Sequence, residues 1–317
     1  MKTGPRLCIM KNEAHTPVLC NEIIHLLRPK SPERYIDGTV GAGGHARVVL
    51  EACAPDGCLL GLDLDPQALA LARENLAPYG KRVILVQASY ASLLEVMSDR
   101  GWESVDGIVL DLGVSSMQLD SPGRGFSFQS EAPLDMRFKR DSGLTAEQLI
   151  NSTPEADLAE LLFKFGEEPR AKRIAHMIVQ AAPIKTTTQL AEIVRRAYPG
   201  HSRVHPATRT FQALRIAVNN ELAILESSLP RAIQALHTGG RLAVISFHSL
   251  EDRIVKDFFR SNSKDQINPP YERIFEVERR ALLKEINRKP LTPDVAEIKE
   301  NPRSRSAKLR VAEKLAV

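Results

Sequence analysis

From residue 34 to about residue 112 short apolar runs alternate with helix-periodic stretches, and few folds accommodate that order of elements. Residues 34–37, 58–63, 82–87 and 107–112 read as strands, and 45–52, 66–76 and 90–100 as helices. A strand that returns through a helix lies parallel to its neighbour, so the segment specifies a parallel sheet with helices on both faces, an α/β architecture. The run Val83-Ile84-Leu85-Val86 lacks polar alternation, as a strand covered on both faces requires.

The alternation stops at Gly113. Residues 113–139 are rich in Gly, Ser, Asp and Pro and read as a long functional loop. From Thr145 to about Leu214 apolar residues spaced three and four apart predict helices over 154–165, 169–181 and 188–197, with Pro154 and Pro169 as helix starters and no strand. A long helix over 206–228 leads back to Arg241-Leu242-Ala243-Val244-Ile245-Ser246, the fifth strand of the same sheet, and 273–277 and 307–312 suit an antiparallel edge. The expected organisation is an N-terminal extension over 1–12, a discontinuous sheet domain over 13–140 and 217–317, and an all-helical insert over 141–216.

Length and composition narrow the class. A chain of 317 residues with 43% apolar residues can bury a full core. No run approaches the roughly 18 apolar residues that span a bilayer, and the first 15 residues lack a hydrophobic signal region, so a cytoplasmic, membrane-free protein is expected. Cys8, Cys20, Cys53 and Cys58 show no CxxC spacing, which predicts reduced thiols and no metal. Residues 271–310 hold 11 basic and 7 acidic residues, an excess equal to the net +4 of the whole chain. Their densest part contains Arg303, Arg305, Lys308 and Arg310 among serines, a set suited to phosphate contacts and equally to the solvated face of a terminal strand.

Open parallel sheets bind ligands beyond the carboxyl ends of their strands. The first strand ends in Asp37 and runs into the turn Gly38-Thr39-Val40-Gly41-Ala42-Gly43-Gly44-His45, where glycines permit positive φ and the following helix offers its N–H groups. The turn alone also fits the dinucleotide fingerprint, so NAD and S-adenosylmethionine both remain open at this point. Asp63, at the end of the second strand, suits ribose hydroxyls of either cofactor. Tyr90 follows the third strand as a stacking face for adenine, and Asp111 ends the fourth. A carboxylate at Asp37 would repel a pyrophosphate but attract the cationic aminoacyl-sulfonium of S-adenosylmethionine, which favours the latter. The competing reading of Asp63 and Asp111 is simple capping of the turns that follow them.

The chain closely resembles the bacterial RsmH (MraW) family of small-subunit ribosomal RNA cytosine-N4 methyltransferases from His15 to its C-terminus. The matching blocks are His15-Thr16-Pro17-Val18, Asp37 to His45, Asp111-Leu112-Gly113-Val114-Ser115-Ser116, Arg124-Gly125-Phe126-Ser127-Phe128, Pro133-Leu134-Asp135-Met136-Arg137, His205 to Arg215, Ser246 to Arg253 and Asn301 to Arg310. The resemblance implies a class I (Rossmann-like) S-adenosylmethionine-dependent methyltransferase sheet with an inserted all-helical domain, acting on a cytidine in the decoding region of 16S ribosomal RNA, naked or in the small subunit. It places the cofactor against Gly43, Gly44, His45, Asp63, Tyr90, Asp111 and Gln118. Tyr90 stands where the family more often has Phe, and Met117 where it often has Pro.

Cytosine N4 is a weak nucleophile because its lone pair is delocalised into the ring, so acceptors must hold its hydrogens while the methyl donor lies in line. Asp111, or carbonyls and hydroxyls at Ser115 and Ser116, are the candidate acceptors; His248, just past the fifth strand, is the other candidate, its bland reading being a turn hydrogen bond. No cysteine follows the fourth or fifth strand, which disfavours covalent attack on cytosine C5. Phe126, Phe128 and Phe247 are candidates for stacking an extruded base, each with a core role as its alternative. Arg209 and Arg215 are candidate phosphate contacts or ordinary ion-pair partners. A nicotinamide-dependent dehydrogenase and a non-catalytic RNA-binding factor are the rival readings, and monomer and homodimer both remain open.

Overall fold

The computed structural model describes residues 17–121, 123–141, 143–200, 205–267 and 277–316. Contacts divide the chain into two compact units, Met1–Gly113 with Ile224–Val317, and Val114–Ala223. Among the described residues no helix is long and apolar enough to cross a membrane.

The first unit is a seven-stranded sheet of order β3-β2-β1-β4-β5-β9-β8, built from β1 (Arg34–Asp37), β2 (Cys58–Asp63), β3 (Val83–Gln87), β4 (Val105–Asp111), β5 (Leu236–Ser246), β8 (Leu283–Glu285) and β9 (Lys308–Lys314). The strands β1 to β5 pair in parallel, and β9 runs antiparallel to both β5 and β8. The expected antiparallel edge is therefore present, with a different outer strand. Residues 273–276 lie outside the described residues, and β7 (Val277–Arg279) pairs with β6 (Gln266–Ile267) in a separate two-stranded sheet.

Successive residues of each central strand point to opposite faces, and each face is apolar. On one side Leu60, Leu62, Ile108, Leu110, Leu242 and Val244 pack with Leu93 of α4 (Leu93–Asp99), with Leu225 and Leu229 of α11 (Glu221–Ala235), and with Phe259 of α12 (Ser249–Asn262). On the other, Leu59, Val109, Ala243 and Ile245 meet Ile23 of α1 (Cys20–Leu27), Val49 of α2 (Gly44–Ala52) and Leu69 of α3 (Pro66–Asn75). Register sets where the strands end. Asp37 lies opposite Gly61 and Val109, so Asp63 and Asp111 each stand two residues further along their own strands, on the same edge of the sheet.

The second unit contains α5 (Ser116–Asp120), α6 (Ala146–Ser152), α7 (Glu155–Gly166), α8 (Ala171–Ala181), α9 (Thr187–Arg196) and α10 (Ala207–Asn219). Three start with capping boxes, Ser115 with Gln118, Thr145 with Gln148 and Thr186 with Gln189, which satisfy N–H groups that a helix cannot satisfy itself. Its core joins Phe126, Leu134 and Met136 to Ile150, Leu158, Leu162, Ile174, Leu190, Phe211 and Leu214. This moves both expected boundaries, 140 and 217, to Gly113 and Ala223. The supposed loop 113–139 carries three core side chains of the helical unit. The single helix expected over 206–228 is also two helices, because Asn220 takes a left-handed φ of 51° and ends α10. Asn is among the few side chains that adopt this conformation at modest cost.

One residue before that break, the Asn219 amide donates to the Met136 carbonyl (2.7 Å) and accepts from the Phe138 N–H (2.7 Å), fixing the loop at Met136, whose φ is 62°. The α7–α10 crossing is closer still. A Cβ on Gly166 would stand 2.6 Å from the Arg209 carbonyl oxygen, a backbone atom without freedom to yield. Gly166→Ala is therefore expected to destabilise the protein by about 1–3 kcal/mol, measured as a lowered urea midpoint, whereas Ala at solvent-facing Gly123 leaves no such clash and costs only what its φ of 82° imposes.

Candidate active site

Three aspartates meet where β1, β2 and β4 end. Asp37 is 1% exposed; its Oδ1 accepts the Thr39 N–H at 3.1 Å and its Oδ2 is buried without a partner among the described residues. Burial pushes this carboxyl up to about 6, against the pull of nearby His45. Asp63 Oδ2 accepts the Gly41 N–H (2.9 Å) and its Oδ1 the Asp65 N–H (2.8 Å), and burial raises this carboxyl too. Asp111 Oδ1 is sealed and, among the described residues, unpartnered, although 26% of the side chain reaches solvent; burial, helped by the negative charge of Glu251, brings its carboxyl to about 7.

The turn between β1 and α2 holds this cluster together. Thr39 links two of its members, donating its N–H to Asp37 and accepting the Asp111 N–H on Oγ1 at 2.6 Å. Gly43 caps α2 with φ 91°, a left-handed conformation, and a Cβ there would stand 2.9 Å from Leu76. Among the described residues no side chain caps α2. His45, 5% exposed, places Nε2 2.8 Å from the Val18 carbonyl. A carbonyl only accepts, so Nε2 carries the hydrogen, and Nδ1 faces Asp111 Oδ2 at 3.6 Å.

The remaining expected residues divide clearly. Tyr90 opens a short 3-10 turn after β3, half-buried, with its Cβ 2.9 Å from where a Cβ on Gly38 would lie. Ser115 and Gln118 belong to the helical unit, where they form the capping box of α5: Ser115 Oγ accepts the Gln118 N–H (3.2 Å) and Gln118 Oε1 accepts the Ser115 N–H (3.1 Å). His248 is the N-cap of α12. Its Nδ1 accepts the Glu251 N–H (3.3 Å), while Nε2 lies 3.1 Å from Glu251 Oε1 out of hydrogen-bonding alignment. The turn hydrogen bond weighed for His248 from sequence is thus observed, and it occupies the nitrogen that a base would use.

The basic residues also separate. Lys308 and Arg310 turn onto Asp252 of α12, at 3.1 and 2.7 Å, and Arg310 is 5% exposed; these cations hold the Asp252 carboxyl below its usual range. As a buried internal partner, Arg310 is withdrawn from any phosphate surface, because β9 lays alternate residues over α12. Arg303 and Arg305 stand exposed in the 3-10 turn Pro302–Ser306. Arg215 makes a bidentate pair with Glu221 (2.8 and 2.9 Å), and exposed Arg209 donates to the Glu167 carbonyl (3.2 Å). Sequence reasoning overlooked Thr39, the Val18 carbonyl and Glu251. Only Glu251 carried a local signal, three residues after His248 in capping-box spacing.

Two buried carboxylate oxygens without partners, on carboxyls that burial keeps near neutrality, suit a cationic ligand and oppose a pyrophosphate. That polarity is the one a sulfonium compound needs, and the chain is a methyltransferase dependent on S-adenosylmethionine. Residues 12–315 match the model of the MraW methylase family, and the chain belongs to that family. It is 51% identical over 312 residues to the ribosomal RNA small subunit methyltransferase H of Geotalea uraniireducens (strain Rf4), covering 96% of this chain and 100% of that one. To the protein of the same name from Heliobacterium mobile it is 49% identical over 308 residues, covering 95% and 99%. The solved structure of a rRNA methylase from Streptococcus thermophilus is a remote match, at TM-score 0.41 and 11% identity over 94% of each chain.

Cofactor affinity carries the sign of these shifts. Below pH 6 Asp37 and Asp111 are largely neutral and attract a cation weakly; above pH 7 both are ionised. Binding of S-adenosylmethionine should therefore strengthen as pH rises from 5.5 to 8, with proton release measurable by calorimetry in two buffers of different ionisation enthalpy. Stability without ligand runs the other way, since the folded chain holds protons that the unfolded chain releases between about pH 4 and 7. Asp111→Asn should gain stability relative to the parent at pH 8 and lose that advantage at pH 4.

Proposed function

We propose that the enzyme methylates N4 of a cytidine in the decoding region of 16S ribosomal RNA. The ribosomal substrate is supported by the names of relatives that match over nearly the whole chain. The base and atom are supported by the family resemblance of the blocks from Asp37 to His45 and Asp111 to Ser116. The observation that carries the chemistry is Asp111, a carboxyl near neutrality with one sealed, unsatisfied oxygen at a strand end.

In this reading the sheet unit is the catalytic part and the helical unit handles substrate. S-adenosylmethionine supplies a methyl group activated on positively charged sulfur. Gly43, Gly44 and His45 would hold its methionine end, Asp63 its ribose and Tyr90 its adenine, with Asp111 nearby. Asp63 already accepts two backbone N–H groups, yet each carboxylate oxygen retains a lone pair for a hydroxyl. Asp111 would accept an N4 hydrogen and orient the nitrogen lone pair, and after methylation, when the product amine is far more acidic, its proton would pass to the Asp111 carboxylate. Ser115 is the second acceptor. His248 positions the start of α12 through its cap, and its part in proton transfer is secondary to Asp111.

Labelled methyl transfer to naked 16S ribosomal RNA and to small-subunit particles, followed by nucleoside analysis, tests the reading. N4-methylcytidine in either substrate is the expected product. Label on cytosine C5, on a ribose, or on neither substrate would sink it. With saturating cofactor, Asp111→Asn should lower kcat by about 10²- to 10⁴-fold, the usual contribution of a positioned proton acceptor, and Ser115→Ala by less.

A further inference from the structure

Between Glu192 and Glu221 the chain runs without one acidic residue while carrying Arg195, Arg196, Arg203, Arg209 and Arg215. Most of these arginines that the structure describes are neutralised from outside the stretch, Arg195 and Arg196 by Glu192 and Arg215 by Glu221. Arg209 is different. It is exposed, and among the described residues its partner is a carbonyl, that of Glu167 at 3.2 Å, which spends one guanidinium N–H and leaves the charge unanswered.

Four residues earlier in the chain, at His205, an aromatic stack ends in solvent. Phe211 is buried in the helical core and meets the half-buried Phe128 edge-on, at 4.9 Å between centroids. Phe128 in turn carries the exposed imidazole of His205, stacked at 4.6 Å and 27°. The imidazole is held in place by its Nδ1, which accepts the Ala207 N–H (3.2 Å) where α10 begins. A flat ring fixed from behind, with its outer side in water and an uncompensated guanidinium four residues on, has the parts of a site for single-stranded nucleic acid: a stacking face and a phosphate donor.

We propose that His205, backed by Phe128 and flanked by Arg209, is a platform on the helical unit that stacks one unpaired base of the RNA while Arg209 takes an adjacent phosphate. The proposal rests on the reading of RNA as substrate. It assigns a stacking role to the ring itself, distinct from the ring's cap on the Ala207 N–H, and that distinction is what makes it testable.

Full-length protein is titrated against a fluorescently labelled single-stranded RNA of decoding-region sequence, and anisotropy is read at several salt concentrations. His205→Asn retains an acceptor for the Ala207 N–H and lacks the ring; it should bind roughly 10-fold or more weakly, as loss of one stacked base implies. His205→Phe retains the ring and lacks the acceptor, and should bind within about twofold of the parent, a threshold small against that loss. Arg209→Ala should reduce the salt dependence of binding by about one phosphate contact. Affinity for S-adenosylhomocysteine should stay unchanged in all three. Parental binding by His205→Asn, or equal losses in the Asn and Phe variants, would overturn the platform while leaving RNA methylation intact. A parental enzyme that neither binds nor methylates RNA would overturn both readings together.

Discussion

Carboxyls buried side by side at the end of a sheet are the constraint to which the sheet unit answers. Register places Asp63 and Asp111 two residues beyond Asp37 on flanking strands, so none of the three can withdraw without breaking strand pairing. Burial, more than their mutual repulsion, raises these carboxyls, and the surroundings offset it only in part. Backbone N–H groups of Thr39, Gly41 and Asp65 satisfy some oxygens, and His45 faces Asp111, yet the carboxyls of Asp37 and Asp111 remain raised. The residual cost is a standing preference for positive charge at this edge of the sheet.

The two units solve their internal problems by different means. In the sheet unit, parallel strands covered on both faces give a thick apolar core, and polar groups gather at one edge. The helical unit relies on local devices: capping boxes at three helix starts, the Asn219 clamp on the Met136 loop and the Gly166 close approach. Their electrostatics differ accordingly. Buried acids dominate the strand ends, whereas the stretch leading through α10 has no acid at all.

What the residues revealed in advance follows from how local each determinant is. The strands β1 and β2 were legible to the residue because unbroken apolar runs bounded by Asp and Gly leave little latitude. The antiparallel return of β9 was legible from its alternation, but its inner partner, Asp252, was not, since a pairing 58 residues distant leaves no periodic trace. The break at Asn220 was masked by helical spacing that continues through it; only a left-handed φ reveals it. Residues 113–139 looked like surface because their apolar side chains are sparse, yet Phe126, Leu134 and Met136 suffice to bind them into a core. At the site, glycines and aspartates announced themselves by type. Thr39 and the Val18 carbonyl did not, because a hydroxyl or a carbonyl acquires a role only from what the fold sets beside it.

The central strand pair of the sheet joins β4 to β5, and these two are separated in the chain by the whole helical unit. Entropically that separation is minor, since doubling a loop adds only about 0.6 kcal/mol to its closure. On a ribosome it is a matter of time. At 5–20 residues per second, β4 waits on the order of ten seconds for the strand that covers its edge. During that interval the nascent half-sheet presents unpaired amides and carbonyls beside apolar Ile108 and Leu110, the kind of edge that pairs with other chains. The segment emerging meanwhile is helical and can bury its own core, so it occupies the gap in synthesis without offering a competing strand.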